Sequence, residues 1–352
     1  MVKAAVVGGG IGGLAVANGL IRAGWRVTVY ERAGGQPTTG TGLGIWPSAL
    51  KALDRIGLGA TTRAAGRRQP SGAIRRPDGS RIAAIDVDKV ERRQGEPVYL
   101  LSRPALLGVL ADALPAGTVH YGAAVDDPAA LRDRYDVVIG ADGINSAVRR
   151  AVFGAEPGLR HAGVIAWRGT VALDIDAGSE TWGRGAKFGL TPQESGLTNW
   201  YAVRPAAEDF VPPGGDLAEL RRLFGEWHEP IPRVLDLVDA NTVLRHPLHY
   251  LAPLPSYTAG NVALLGDAAH AMTPDLGQGA CQALIDAVAL AGALSGAADV
   301  PAGLRRYDED RRPPTQKLAA MSLRASRLSR MRRLLPVRDL LVRGALAAGP
   351  PS

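Results

Sequence analysis

A glycine-rich turn between a short apolar strand and a helix constrains the fold of this chain more than any other feature. Residues 3–13 read Lys-Ala-Ala-Val-Val-Gly-Gly-Gly-Ile-Gly-Gly, so Gly8, Gly10 and Gly13 have the spacing Gly-x-Gly-x-x-Gly. In this pattern the first glycine permits a tight turn and the second lets a pyrophosphate approach the backbone. The third lets the helix pack closely against the strand. The pattern predicts a dinucleotide site, because the following helix, from about 14 to 23, offers free N–H groups to phosphate.

The second strand of this unit, residues 26–30, supports the same interpretation. It ends at Glu31, about where a carboxylate accepts hydrogen bonds from a ribose. We predict that Glu31 and the adjacent Arg32 contact the cofactor. This half of the pattern does not distinguish FAD from NAD.

A segment far downstream contains a second predicted strand that is followed by an acidic residue. Residues 262–265 are apolar, and Gly266 and Asp267 follow them. A carboxylate at this point can hold a polyol such as a ribityl chain. The loop from Pro274 to Gly279 then leads backbone N–H groups toward the anionic edge of a reduced flavin, and a helix follows from about 280 to 294. A structural alternative stays open for this segment alone, because acidic strand ends are common in α/β folds.

A third segment, residues 135–149, repeats the order of strand, acidic turn at Asp142 and helix. Together the three segments resemble the FAD-dependent group A monooxygenases, which include p-hydroxybenzoate and salicylate hydroxylase and small urate hydroxylase-like members. The resemblance covers nearly the whole chain. It implies an α/β fold in which a Rossmann-type FAD-binding domain is interleaved with an antiparallel β-sheet substrate domain.

The resemblance also implies roles for individual residues. Arg103, in the segment 99–106, is similar to an arginine that contacts the flavin cofactor, and Gly44 lies in a stretch similar to the one that lines the flavin ring. Asp142 joins the predicted cofactor contacts, as do Leu276 and Gly277. We expect the backbone at Pro274, Gly277 and Gly279 to form the catalytic loop.

In this family NAD(P)H reduces the flavin, O₂ adds as a hydroperoxide, and one oxygen atom passes to an electron-rich substrate. The protein orients the cofactor and excludes water. We therefore expect FAD as cofactor and NAD(P)H and O₂ as co-substrates. Two alternatives stay open, namely a flavin oxidoreductase that transfers hydride without inserting oxygen and a flavin-binding protein without turnover.

The predicted substrate is a small molecule, aromatic or heteroaromatic in character. Its predicted polar contacts are Arg168, Lys187 and Tyr201 on strand-like segments. Urate hydroxylase-like members carry an arginine and a tyrosine where this chain has Lys187 and Asn199, and this difference argues against urate.

The alternation of segments predicts that the chain crosses between two domains several times. We assign residues 1–70, 100–155 and 258–345 to the FAD-binding domain and residues 71–99 and 156–257 to the substrate domain. An Asp-Gly pair at 78–79 predicts a β-hairpin. Residues 346–352 are predicted to form a loose tail.

The composition of the chain bears on its compartment and on the kinds of partner that it binds. The single cysteine, Cys281, favours a reducing compartment, and we predict a cytoplasmic enzyme, monomeric or homodimeric. We expect no metal, no stable membrane insertion and no nucleic-acid partner, since no reader motif accompanies the net charge of +7. Seven late arginines favour a solvated helix face, with loose attachment to an anionic surface as the alternative: Arg324, Arg327, Arg330, Arg332, Arg333, Arg338 and Arg343.

Overall fold

A computed structural model describes residues 1–38, 40–69, 71–155 and 158–348. In chain order its strands are β1 Lys3–Val7, β2 Arg26–Glu31, β3 Gly42–Ile45, β4 Arg67–Arg68, β5 Gly72–Arg75, β6 Arg81–Ile85, β7 Tyr99–Ser102, β8 Val119–Tyr121, β9 Val137–Gly140, β10 Leu159–Val171, β11 Gly178–Trp182, β12 Lys187–Pro192, β13 Thr198–Pro205, β14 Leu244–Leu251, β15 Thr258–Ala259 and β16 Val262–Leu264.

The helices, in the same order, are α1 Ile11–Arg22, α2 Pro47–Arg55, α3 Gly59–Ala65, α4 Val87–Gln94, α5 Arg103–Asp112, α6 Ala147–Phe153, α7 Asp216–Phe224, α8 Ile231–Leu237, α9 Asp267–His270, α10 Gly279–Gly296, α11 Val300–Ser329 and α12 Leu335–Ala348. Short 3₁₀ turns cover Ala129–Leu131, Glu194–Gly196, Ala240–Thr242 and Pro274–Leu276.

The first sheet has six strands in the order β15-β16-β9-β1-β2-β8 and is parallel except at β15. Its central strands are continuous apolar runs because helices cover both faces of such a sheet. The carboxyl ends of β1, β9 and β16 lie side by side, so the three sequence fingerprints meet at one edge. This arrangement confirms the predicted Rossmann-type part of the fold.

The second sheet has seven strands in the order β14-β10-β13-β12-β11-β5-β6. Neighbouring strands in this sheet pair antiparallel, except that β11 and β5 pair in parallel. The predicted hairpin at 78–79 is confirmed, since β5 and β6 pair antiparallel. One face of the sheet packs Trp167, Phe188 and Trp200 against α7 and α8. Because side chains alternate along a strand, the residues between them point to the opposite face.

A small third sheet has three strands in the order β3-β7-β4. Strand β7 spans the predicted domain boundary at residue 100, and β3 carries the stretch predicted to line the flavin ring. The predicted domain limits stay a prediction at this level of detail.

The helix α10 is the one helix within the described ranges that is long and apolar enough to cross a membrane by length and composition alone. Half of the helix is buried, and it packs against α1 and α11. These are the contacts of a core helix.

The last helix, α12, packs against β6 of the seven-stranded sheet, with Val342 beside Ile74, Ile82 and Trp182. The sequence did not indicate this contact, and it grouped the residues up to 345 with the FAD-binding part. Helix α12 also includes residues 346–348 of the predicted loose tail, whereas residues 349–352 lie outside the described residues.

Candidate active site

The three glycines of the first fingerprint have different surroundings. Gly8 has a φ of 107°, and a Cβ there would lie 2.4 Å from the Ala141 carbonyl oxygen. A Cβ on Gly13 would lie 1.9 Å from the Gly8 carbonyl oxygen. By contrast, the nearest atom to a Cβ on Gly10 is Arg103 Nη2, at 4.0 Å. The outer glycines are required by packing, and Gly10 faces open space in front of α1, where a phosphate fits.

Glu31 connects the end of β2 to the glycine turn. Its Oε2 accepts a hydrogen bond from the Gly9 N–H (2.6 Å), and its Oε1 accepts one from the Ala33 N–H (2.8 Å). Arg32 is exposed beside it. The carboxylate thus supports the turn in this structure, and its contact with a ribose stays a prediction.

Asp142 caps the N-terminus of α6. One carboxylate oxygen accepts from the Ser146 hydroxyl (2.6 Å) and the other from the Ala147 N–H (2.7 Å). A direct contact between Asp142 and a cofactor also stays a prediction, and the capping contacts were not foreseen from the sequence.

Asp267 begins the short helix α9 at the carboxyl end of β16 and is exposed. Within the described residues its carboxylate makes no hydrogen bond. Desolvation by surrounding protein raises the pKa of Asp267, while His270 and Arg103 act in the opposite direction. A carboxylate in this position is available to accept hydrogen bonds from hydroxyl groups of a ligand.

A buried cluster fixes the backbone just before Asp267. Asp286 of α10 accepts from the Gly266 N–H (3.0 Å), His270 Nε2 (2.5 Å) and Arg311 Nε (2.7 Å). Desolvation opposes ionisation of Asp286, but these partners outweigh it and lower its pKa to about 2. His270 therefore holds the loop, which agrees with the packing role expected for a histidine after the Gly-Asp pair.

The 274–277 turn leads into α10. Pro274 and Gly277 are exposed, and Gly277 has a φ of 62° that glycine adopts without strain. Leu276 is half-buried beside them, and Gly279 starts the helix. Helix α10 also holds β3 through Cys281, whose thiol donates to the Gly44 carbonyl at 3.3 Å. Burial raises the pKa of this thiol to about 12, so it stays protonated.

Lys187 ties the turn to the seven-stranded sheet. Its Nζ lies 2.9 Å from Asp275 Oδ1 and 2.8 Å from Glu180 Oε1. The Tyr201 hydroxyl donates to the same Glu180 oxygen at 2.5 Å. Desolvation disfavours the ammonium, but the two carboxylates outweigh it and raise the pKa of Lys187. Desolvation and then Glu180 raise the pKa of Tyr201.

Arg168 lies on the same face of the sheet, directly opposite Tyr201 in the register. Its Nε is buried and has no hydrogen-bond partner among the residues that the structure describes. Desolvation, followed by the charge of Arg103, lowers the pKa of Arg168. The neighbouring His246 is neutral, because desolvation and then the charge of Arg168 lower its pKa to about 4. The result is a positive site that no described carboxylate neutralises.

Two amides beside β3 also lack partners. Gln193 Nε2 and Asn199 Oδ1 are buried without a hydrogen bond, and a Cβ on Gly42 would lie 3.3 Å from each of their side chains. Buried polar groups of this kind are normally satisfied, so unpaired ones are consistent with a ligand site.

Comparison with known proteins decides the family. A family model described as "FAD binding domain" matches residues 1–322, which is most of the chain. This chain belongs to that family, the group A flavoprotein monooxygenases.

Relatives of this monooxygenase act on aromatic or heteroaromatic compounds. It is 36% identical to aurachin C monooxygenase/isomerase of Stigmatella aurantiaca, over 92% of this chain and 88% of the relative. It is 35% identical to 3-amino-4-hydroxybenzoate 2-monooxygenase of Streptomyces cremeus, over 93% and 87%. The structure of Klebsiella pneumoniae HpxO with FAD and uric acid superposes with a TM-score of 0.86, at 26% identity, over 99% of this chain and 93% of that one.

The predicted fold, cofactor and enzyme class are therefore confirmed. This monooxygenase uses FAD, and the residues fit it: Gly10 faces open space, and the Asp267 carboxylate has no hydrogen-bond partner in the part of the chain that the structure describes. When bound and reduced by NAD(P)H, FAD supplies the activation of O₂ for transfer of one oxygen atom.

Sequence reasoning missed several residues of this site. Glu180, Asp275 and His246 are not among the residues that the sequence predicts for the site. Lys187 and Tyr201 were foreseen as substrate contacts, but in this structure they bond to Glu180. The one available signal was strand alternation, which puts Glu180 and Lys187 on the same sheet face.

Proposed function

We propose that this monooxygenase hydroxylates a small aromatic or heteroaromatic compound that carries an anionic group, and that Arg168 binds that group. The observation that carries the proposal is the unpartnered Arg168 Nε, buried on the inner face of the sheet. An arginine left without a carboxylate is costly to bury, and an anionic ligand would compensate it.

The surroundings of Arg168 favour an anion over a neutral ligand. Arg103 adds a second positive charge close enough to lower the pKa of Arg168. The low pKa of His246 keeps that ring neutral near pH 7, so it can donate or accept one hydrogen bond without repelling the arginine. Asn199 lies diagonally across β10 and β13 from Arg168 and offers a polar contact for a ring substituent.

The remaining residues would hold the cofactor and exclude water. The backbone at Gly10 and the N-terminus of α1 receive the pyrophosphate, and Asp267 receives the ribityl hydroxyls. The turn at Pro274, Gly277 and Gly279 lies at the cofactor ring and is held by the pair of Asp275 and Lys187. We place the enzyme in the cytoplasm, since its single cysteine is a buried thiol.

The test is NAD(P)H oxidation with matched substrates. Hydroxylated aromatic acids and their carboxamides are compared, and ¹⁸O from ¹⁸O₂ is followed into product. We expect acids to give the higher kcat/KM, and Arg168→Gln to remove most of that preference, about 10- to 100-fold for a lost charge-assisted contact. Arg305→Gln, an exposed arginine, is the control.

Three results would contradict the proposal. Equal kcat/KM for acids and carboxamides in the wild-type enzyme would remove the anionic group from the substrate class. Weaker FAD binding in Arg168→Gln, with the acid preference intact, would assign Arg168 to the cofactor instead. Absence of ¹⁸O in every product would favour the hydride-transferring alternative.

A further inference from the structure

Helix α12 buries two charged residues and exposes several large apolar ones. Arg338 is buried, donates to the Gly183 carbonyl (2.7 Å) and pairs with Asp339 (2.8 Å). Asp339 is also buried and pairs at 2.8 Å with Arg76, which lies in the turn between β5 and β6. The opposite side exposes large apolar residues to solvent, by 68%, 48%, 67% and 53% of their areas: Leu334, Val337, Leu340 and Leu341.

These residues form one patch, named here the α12 patch, comprising Leu334, Val337, Leu340 and Leu341. Ten large hydrophobic side chains are exposed among the described residues, and four of them lie in these eight positions. At 100° per residue, the three helical members fall within an arc of about 100°. Leu334, just before the helix, has a φ of 55°, and such conformations concentrate in functional segments.

The last 42 residues of the chain, which include this patch, carry its excess of positive charge. Residues 311–352 contain ten of the 41 lysines and arginines and one of the 34 acids, so this segment carries +9 and the rest of the chain carries −2. Its single acid is Asp339, which is buried and paired. Arg332, Arg333 and Arg343 are exposed within the same stretch.

We propose that the α12 patch docks this enzyme on an anionic lipid surface. Leucines would enter the boundary between headgroups and acyl chains, and the arginines would contact anionic headgroups. A second copy of the chain is disfavoured, since a two-fold contact at this patch would bring the exposed Arg332, Arg333 and Arg343 of both copies together. A nucleic acid would use the arginines but leaves the exposed leucines without a role.

The test is cosedimentation of the FAD-loaded enzyme with phosphatidylglycerol vesicles and with pure phosphatidylcholine vesicles. We expect binding to the anionic vesicles only, weakening as salt is added. Arg332→Gln/Arg333→Gln should weaken binding about tenfold or more. Leu340→Ser/Leu341→Ser should do the same through lost apolar burial. The control Val211→Ser/Leu237→Ser removes two exposed apolar residues elsewhere and should change nothing.

Retained FAD absorbance and basal NAD(P)H oxidation establish that each variant is folded. Failure to bind either kind of vesicle, or equal binding to both, overturns the proposal. So does unchanged binding in the leucine double variant. Sedimentation velocity without lipid tests for a second copy of the chain. A dimer that is lost in the leucine double variant would identify a second copy as the occupant of the α12 patch and would overturn the lipid proposal.

Discussion

The Lys187 ammonium lies 2.9 Å from the Asp275 carboxylate, and this ion pair joins the seven-stranded sheet to the turn before α10. Both side chains are only 5% exposed. Removing one partner of a buried pair leaves an uncompensated charge, which costs far more than the pair contributes. The position of the 274–277 turn therefore depends on a residue of the other domain.

We expect Lys187→Met to destabilise the holoenzyme by about 3–5 kcal/mol, because it leaves the buried carboxylates of Glu180 and Asp275 unpaired. Urea unfolding measures the change. Arg306→Met is the control, since Arg306 forms an exposed pair with Asp310 and should cost less than about 1 kcal/mol. Equal costs for the two variants would contradict the buried-pair argument.

The stabilisation of the folded enzyme by Lys187 depends on pH in a defined direction. The pKa of Lys187 is raised in the folded state, so its stabilisation is fully present below the unfolded pKa of about 10.4. It is lost only as pH rises through the higher folded value. The difference between wild type and Lys187→Met should consequently stay constant from about pH 7 to pH 9.

Asp286 should make the stability of the folded enzyme decrease at acid pH. Its folded pKa is about 2 and its unfolded value about 3.9, so its stabilisation is present above the unfolded value and is lost as pH falls toward the folded one. Asp286→Asn should flatten the stability profile in that window by about 2 kcal/mol. Urea unfolding across the acid range measures it, with the exposed Asp310→Asn as control. Parallel profiles for wild type and Asp286→Asn would refute this assignment.

Asp267→Ala should weaken FAD binding by about 1–3 kcal/mol, the range for a lost charge-assisted hydrogen bond. Fluorescence titration of the apoprotein measures the affinity. Asp236→Ala removes an exposed carboxylate from α8 and should leave the affinity unchanged. Unaltered affinity in Asp267→Ala would mean that the carboxylate does not contact the cofactor.

Gly10→Val should give a folded but colourless protein. A Cβ on Gly10 meets only Arg103 Nη2 at 4.0 Å, so the fold tolerates the side chain while the phosphate position is blocked. Gly13→Val is the contrasting variant, because its Cβ would lie 1.9 Å from the Gly8 carbonyl oxygen and should prevent folding. Circular dichroism and the flavin absorbance separate the two outcomes. A yellow, fully loaded Gly10→Val would disprove the phosphate position.

Gly277→Val should uncouple NAD(P)H oxidation from oxygen transfer. The φ of 62° strains any branched residue, so the turn should shift and admit water beside the ring. We expect part of the FAD to remain bound and more of the oxygen to appear as H₂O₂. Product and peroxide are counted against NAD(P)H consumed. Gly292→Val, in open space on α10, is the control, and unchanged coupling in Gly277→Val would remove the turn from the reaction.

The meeting of the three fingerprints at one sheet edge could be predicted because their signals are local. The spacing of Gly8, Gly10 and Gly13 indicates a single turn, and Asp267 after an apolar run indicates the end of a single strand. Since parallel strands end at a common edge, three local fingerprints are enough to predict a shared site. Glu31 shows the limit, because the sequence placed it at the end of the second strand as a ribose contact but did not reveal its bond to the Gly9 N–H.

The sequence by itself determined the dinucleotide-binding turn and the two kinds of sheet, because periodicity and glycine spacing act within about 30 residues. The family and the cofactor followed from the resemblance of three segments to known monooxygenases. Only the tertiary structure decided which charges pair. Lys187 meets Asp275 across 88 positions, and Arg338 reaches Gly183 across 155. Strand alternation shows which face a side chain occupies. What lies opposite that face depends on how distant segments pack, and this also left Arg168 unpaired and the leucines of α12 facing outward.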